Sequence, residues 1–289
     1  MTGTTTLAAT VDDVTRKALA SGALVPFEIA GEAIADDPPW RIEWVSSLAR
    51  KDQAATPKPD TKPGAFNPFL PYDPALFVSA LGAGHVLLLN KFPIRLGHVI
   101  VVTRAYADQE QPLERADFAA LAQAMDALGG LAFFNGGATA GASVQHRHLQ
   151  IAPFGAPLIE ALLPSVRLDD APQRLARLPF RHALVRFAAR WPDNADRAGA
   201  RLYEAYLHCR EACGIAAGND GRLPAYNLLA TRDWFLLVPR SRETWEDGAL
   251  RVSLNAMSFA GSIFVRDPAL IPRIRDAGLM RLLGAVTCT

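Results

Sequence analysis

The stretch NGGATAGASVQHRHLQIAPF, residues 135–154, decides how this chain is read. It opens glycine-rich and ends in alternation, the pattern of a loop feeding a β-strand. Along a strand, successive side chains point to opposite faces. His146, His148 and Gln150 therefore share one face, and Gln145, Arg147, Leu149 and Ile151 share the other. Two imidazoles and an amide in a row do not suit a face packed in an apolar core. Three readings fit the row. It is a solvated sheet face, or part of a metal site, since neutral imidazole is a good ligand for zinc or iron, or it carries a nucleophile. Histidine titrates near pH ~6.5 and keeps one ring nitrogen unprotonated at neutral pH. A metal needs further ligands, and His85 and His98 stand in no recognisable ligand spacing. The glycine loop exposes N–H groups suited to a phosphate. Residue chemistry alone leaves the three readings level.

Outward from this stretch, HVLLLN (85–90) and HVIVVT (98–103) read as strands, with His85 and His98 as sheet-end residues. LAFFN (131–135) reads as another strand, and RIEWVSSLA (41–49) as a half-buried one. Residues 114–128 place Phe118, Leu121, Met125 and Leu128 at helical spacing. Helices are also expected over 11–20 and over 196–213, the latter with Leu202, Ala205, Tyr206 and Cys209 on one stripe. AYNLLA (225–230) and WFLLVPR (234–240) read as a hairpin whose Trp234, Phe235 and Leu237 belong to the core. Asn227 suits a ligand contact and a sheet-end role equally. Residues 258–266 suit a strand or a buried helix, and PALIPRIRDAGLMRLLGAV (268–286) suits one closing helix. The arginine-rich stretch 174–190 reads as a solvated helix face, with His182 and His208 at the surface. Residues 51–74 hold six prolines and read as a surface loop with extended stretches. Strands and helices mix without regular βαβ alternation. That pattern predicts an α+β fold, with helices packed on a mixed, mainly antiparallel sheet.

Composition narrows the classes. The chain has 289 residues, 30 basic and 29 acidic, for a net charge of +1. Half of it is apolar and a fifth is charged, which excludes a wholly disordered chain. The charge balance argues against a nucleic-acid partner held by a broad basic face. Three cysteines, Cys209, Cys213 and Cys288, form no disulfide framework and favour a reducing compartment. No signal peptide is visible and no apolar run approaches the ~20 residues a bilayer needs, so a cytoplasmic protein off the membrane is expected.

HVLLLNKFPIRLGHVIVVTR (85–104), followed by NGGATAGASVQHRHLQIAPF, resembles the ATP adenylyltransferase family, also called diadenosine tetraphosphate (Ap4A) phosphorylases. This family belongs to the histidine-triad (HIT-like) superfamily. AYNLLATRDWFLLVPRSRE (225–243) and LNAMSFAGSIFVR (254–266) resemble its second half, so the likeness spans most of the chain. It implies two sequence halves in one compact unit. Residues 1–160 would be the HIT-like half with the His-x-His-x-Gln motif, and 161–289 the half that completes the pocket. It implies a nucleotidyltransferase that cleaves Ap4A with inorganic phosphate to ADP and ATP.

In that resemblance His148 corresponds to the nucleophile, with His146 and Gln150 as the rest of the catalytic motif. Gln150 stands where the hydrolase branch has a third histidine. Asn90 and Lys91 match an Asn-Lys-Phe motif at the nucleotide or its phosphates. Asn135, Gly141, Ala142, Ser143 and Val144 match the phosphate-binding stretch. Asn255, Ala256, Met257, Ser262 and Arg266 match substrate contacts of the second half, and Lys51 is the match for a lysine on the polyphosphate. Arg266 departs from an expected lysine but keeps the charge, and Met257 departs from a smaller or leucine-like residue. No tightly bound cofactor is implied; Mg²⁺ would arrive with the polyphosphate, and no carboxylate cluster marks a protein site for it. ATP, ADP and phosphate are the other expected ligands. Two halves in one chain suggest a monomer. The competing functions are a nucleotidylyltransferase with another acceptor, sulfate or a sugar phosphate, and a silent dinucleotide sensor.

Overall fold

The computed structural model describes residues 6–35, 40–45, 67–155, 157–163, 171–248 and 250–288, with backbone only for 30–35. Lys51 and the proline-rich stretch up to residue 66 lie outside them. Helix α1 spans Leu7–Ser21; Thr6 caps its start by accepting from the Ala9 amide, and Gly22 ends it in the left-handed region. Strands β1 (Ile29–Ala35) and β2 (Trp40–Val45) form an antiparallel pair. The first half continues with β3 (Phe77–Leu81), β4 (His85–Leu89), β5 (Val99–Thr103), α2 (Arg115–Leu128), β6 (Leu131–Gly136) and β7 (His148–Ala152). The second half supplies β8 (Ala183–Arg186), α3 (Ala195–Ala212), β9 (Tyr226–Ala230) and β10 (Trp234–Pro239). It closes with the hairpin β11 (Thr244–Asp247) and β12 (Leu250–Ser253), then α4 (Ala256–Ala260), β13 (Ser262–Val265), α5 (Leu270–Ala277) and α6 (Leu279–Ala285).

Eight strands join in the order β3-β4-β5-β7-β6-β9-β10-β8, every neighbour antiparallel. The division along the chain is thus not a division in space. Strand β6 of the first half pairs with β9 of the second, with Phe133 opposite Leu229 and Asn135 opposite Asn227. The expected boundary at 160 falls inside a 3-10 turn, Leu158–Leu162, whose Ile159 and Leu162 pack in an apolar cluster drawn from both halves. A smaller sheet, β1-β2-β13, is mixed, because β13 runs parallel to β2.

The two faces of the large sheet are covered differently. On one face Val99, Val101, Leu149 and Ile151 pack beneath Phe118, Leu121, Leu202 and Tyr206 of α2 and α3. On the other face two separate apolar clusters form. Ile100 and Val102 pack with Phe69, while Phe133, Leu229 and Leu236 pack with Phe259, Ile263 and Leu282. His148 pairs with Val102, and Gln150 pairs with Ile100 on one side and Phe133 on the other. The polar row therefore lies along the seam between the two clusters.

Three local expectations are corrected. Residues 258–266 hold both a helix and a strand, because Gly261, at φ 108°, breaks one from the other. The closing helix is two helices, parted at Gly278, which sits at φ 84°. The stretch 174–190 is no solvated helix: Ala183, Leu184 and Val185 form an edge strand with both faces covered, and His182 is buried. His182 takes the Leu175 amide on Nε2 at 2.8 Å and donates from Nδ1 to the Phe180 carbonyl at 2.8 Å.

Candidate active site

His148 opens β7 and is buried. Its Nδ1–H donates to the His146 carbonyl at 2.8 Å, which fixes the neutral tautomer with the lone pair on Nε2. The Phe69 ring packs 5.3 Å from the imidazole. The backbone of His148 is clamped by Gln109, a residue that is 1 % exposed. Gln109 Oε1 accepts from the His148 amide at 2.9 Å, and its Nε2 donates to the carbonyls of Asn135, at 2.8 Å, and His148, at 3.3 Å. This one amide holds the histidine strand and β6 in register at the strand mouth. Sequence reasoning did not find Gln109, which lies in an irregular segment with no periodic signal.

His146 precedes the strand and forms an isolated bridge with Asp108. Its Nδ1 accepts from Asn67 Nδ2 at 3.0 Å, while Nε2–H donates to the Thr103 carbonyl at 2.9 Å. Burial, reinforced by the nearby Arg147 charge, pushes its pKa below the ordinary value, against the pull of the Thr103 and Ala105 carbonyls. It is a neutral imidazole with both nitrogens engaged by the protein. Held in this way, it anchors the turn into β7.

Gln150 shares the face of His148. His98 Nε2–H donates to Gln150 Oε1 at 3.0 Å, and Asn90 Nδ2 donates to His98 Nδ1 at 3.3 Å. The carbonyl end of Gln150 is thereby held, and its NH₂ group is the end left to present a donor. His98 is thus more than a sheet-end residue, because it sets the orientation of Gln150. Asn90 Oδ1 in turn accepts from the Phe92 amide at 3.0 Å, and Lys91 between them is exposed.

The glycine loop closes the other side. Gly141 sits at φ 90°, and a Cβ there would stand 2.8 Å from the Asn255 Cβ, so only glycine lets the two halves approach this closely. Ala142 and Val144 are half-buried and Ser143 is exposed, and Val144 packs on the Phe69 cluster. Asn135 Oδ1 accepts from the Ala256 amide at 3.0 Å and from Asn227 Nδ2 at 2.8 Å. Asn227 also donates to the Ala140 carbonyl at 2.9 Å. Asn255 caps α4 by accepting from the Met257 amide at 2.9 Å. The structure thus brings together His148, Gln150, Asn90, Asn135, the 141–144 loop, Asn255 and Ala256. Met257 and Ser262 instead line a cavity of about 240 Å³ with Arg41, Leu131 and Phe154. That cavity lies toward the far end of β7, where Leu131 pairs with Ala152. Arg266 is exposed just past β13. Among the described residues no three His, Cys, Asp or Glu side chains cluster to hold a metal ion. No helix among them is long and apolar enough to cross a membrane.

Arg147, on the opposite face from His148, pairs with Asp117 at 3.0 Å and donates to the Pro112 carbonyl at 3.0 Å. His85 Nε2 meets the other oxygen of Asp117 at 2.8 Å. This buried group locks β4, β7 and the start of α2 together.

Comparison with known proteins gives the family and the fold. Residues 1–167 match the model of the Ap4A phosphorylase N-terminal domain, and 176–289 match that of the ATP adenylyltransferase C-terminal domain. Protein APA1 of Saccharomyces cerevisiae is 24 % identical over 262 residues, covering 82 % of this chain and 79 % of that protein. Diadenosine 5',5'''-P1,P4-tetraphosphate phosphorylase 2 of the same yeast is 29 % identical over 256 residues, covering 78 % and 76 %. The fold matches the crystal structure of yeast Ap4A phosphorylase Apa2 in complex with AMP, with a TM-score of 0.77 at 20 % identity over 97 % of this chain and 96 % of that one. Its complex with Ap4A matches with a TM-score of 0.75 at 22 % identity, over 97 % of both chains.

Proposed function

This chain belongs to the Ap4A phosphorylase family, and from that membership we propose that it cleaves Ap4A with inorganic phosphate to ADP and ATP, reversibly, with His148 as nucleophile. The observation that carries the reading is the Nδ1–H bond from His148 to its neighbour's carbonyl, which puts the reactive lone pair on Nε2. Nε2 attacks the α-phosphorus, the bond from that phosphorus to the bridging oxygen breaks, and ATP leaves. The ring in the adenylyl-histidine carries positive charge, which the His146 carbonyl stabilises through the same hydrogen bond. A phosphate oxygen then attacks the phosphorus, the P–N bond breaks, and ADP leaves with neutral His148 restored. Two easier displacements replace one hard one.

Gln150 serves as a donor to the α-phosphoryl oxygens, its NH₂ aimed by His98. An amide cannot act as a general base near neutral pH, so water is not activated and the intermediate waits for phosphate. The 141–144 loop, Asn135 with Ala256, and Asn255 frame the phosphates, and Lys51, Lys91 and Arg266 offset their charge. Met257 and Ser262 extend the substrate surface. Mg²⁺ arrives with the polyphosphate and is not held by a protein ligand set. Both halves complete one pocket within one chain, which supports a monomer. Three free cysteines and the near-neutral charge support a cytoplasmic enzyme with no nucleic-acid partner.

The test is incubation with Ap4A, with and without phosphate, followed by nucleotide chromatography, with His148→Asn alongside. ADP plus ATP that forms only with phosphate and vanishes in the variant is the expected result. AMP plus ATP without phosphate would make the protein a hydrolase and overturn the role of Gln150. No product would point to another acceptor or to a sensor.

A further inference from the structure

Arg240 stands one residue past β10, on the face that carries the polar row, and is 3 % exposed. Its guanidinium donates to six oxygens: Asn227 Oδ1 and the carbonyls of Ala140, Arg242, Glu243, Leu254 and Val286. Every one of these is neutral. Among the described residues no carboxylate pairs with it. The nearby Glu243 carboxylate takes the Ser253 hydroxyl at 2.7 Å instead. The Phe259 ring covers the guanidinium at 5.4 Å. Neutral acceptors satisfy the donors without pairing the charge, the Glu243 carboxylate opposes it without a direct contact, and a buried charge that lacks a paired partner is costly. Burial lowers the pKa of Arg240 to about 10, so it remains a cation at neutral pH.

Three of the six acceptors belong to the frame of the candidate site. Ala140 lies in the turn that ends at Gly141. Asn227 holds Asn135. Leu254 precedes Asn255, the cap of α4. The unpaired charge therefore sits directly beneath the loop and helix start proposed to take phosphates. We propose that Arg240 is the buried positive pole of the polyphosphate site, a positioning residue that acts by its field and by fixing the frame, without touching the ligand. The missing carboxylate is supplied by the substrate: the anion that binds above the loop is the counter-charge. In a poorly polarisable interior such a charge is felt across several ångströms. This inference rests on the polyphosphate reading above.

The experiment measures equilibrium binding of adenosine, AMP, ADP and ATP at low salt. The parent carries His148→Asn, which keeps a donor for the His146 carbonyl and prevents turnover. Arg240→Met and Arg240→Lys are added to it. Arg240→Met is expected to leave adenosine within about twofold and to weaken ATP by about tenfold or more, with AMP and ADP between. Arg240→Lys, which keeps the charge but loses part of the hydrogen-bonded fork, is expected to bind ATP between the parent and the methionine variant. An equal loss across the series, no loss for ATP, or a lysine variant as weak for ATP as the methionine variant would overturn the proposal. Should Arg240→Met fail to fold, Arg240→Gln is read in the same way, since it removes the charge and keeps an NH₂ donor for the surrounding carbonyls. A parent that binds none of the phosphorylated ligands would sink the polyphosphate reading itself. A parent whose affinity rises along the series, unaffected by Arg240→Met, would sink only the role of Arg240.

Discussion

Two arginines are buried almost equally on opposite faces of the central sheet, Arg147 at 4 % and Arg240 at 3 % exposed, and the protein treats them differently. Arg147 meets a buried carboxylate, Asp117, which also takes His85. Its charge is cancelled, and what remains is a lock between a strand and a helix. Arg240 meets only neutral oxygens. Its charge is left standing beneath the glycine loop. The helix-covered face is finished within the protein, whereas the seam-bearing face is completed by an anion. The same contrast runs through three consecutive residues. His146 has both nitrogens engaged and Arg147 is paired with a carboxylate, while His148 commits Nδ1–H to the His146 carbonyl and so carries its lone pair on Nε2.

On the seam-bearing face, His148→Asn should lower turnover by about 10³-fold or more. A residual rate within tenfold of the parent would end the nucleophile assignment. On the finished face, Asp117→Asn should destabilise by about 3–5 kcal/mol, since it leaves Arg147 buried without its counter-charge. Urea unfolding reads this directly. A change below about 1 kcal/mol would mean that the pair is not what locks the strand.

Smaller effects sharpen the picture. Gln109→Ala removes the clamp on His148 and should lower kcat about 10–100-fold with a lesser change in KM. His98→Leu should act likewise through Gln150, and His98→Gln, which keeps a donor, should recover part of the loss. An effect confined to KM would place these residues at the ligand instead. The smallest effect is on pH. His146 and His182 both have pKa values pushed below the ordinary value, first by burial. The unfolded chain binds protons near pH ~6.5 while the folded chain resists them, so the stabilisation is complete above that pH and falls as the pH drops through it. Tm should decline between pH 7 and pH 5, and less steeply in His182→Gln. A flat profile would contradict the burial of neutral imidazoles.

Much of this was readable from local pattern. The alternation at 145–151 put His148 and Gln150 on one face and Arg147 on the other, in agreement with the strand register and with the bond of Arg147 to Asp117 of α2. The strands at 85–89 and 99–103 and the stripe of α3 followed from β-branched runs and helical spacing. What the pattern missed depends on contacts distant in sequence. Gln109 clamps residues 26 and 39 positions away, and Arg240 reaches the Ala140 carbonyl across 100 positions. Gln109 sits in no periodic segment, and Arg240 ends a run read as a core strand, where nothing local marks it as a buried charge. His182 was misjudged because the arginines around it suggested a solvated face, whereas Ala183, Leu184 and Val185 pull the segment into the sheet edge. Gly261 and Gly278 broke elements that apolar content alone made continuous.

The central claim is that His148 carries the adenylyl group. Mass spectrometry after brief mixing with Ap4A in phosphate-free buffer tests it most directly. The account predicts one AMP moiety per chain, attached to His148 through an acid-labile P–N bond, and released as ADP when phosphate is added. Steady formation of ADP and ATP with phosphate, but with no covalent AMP at any time or with the label on another residue, would contradict it.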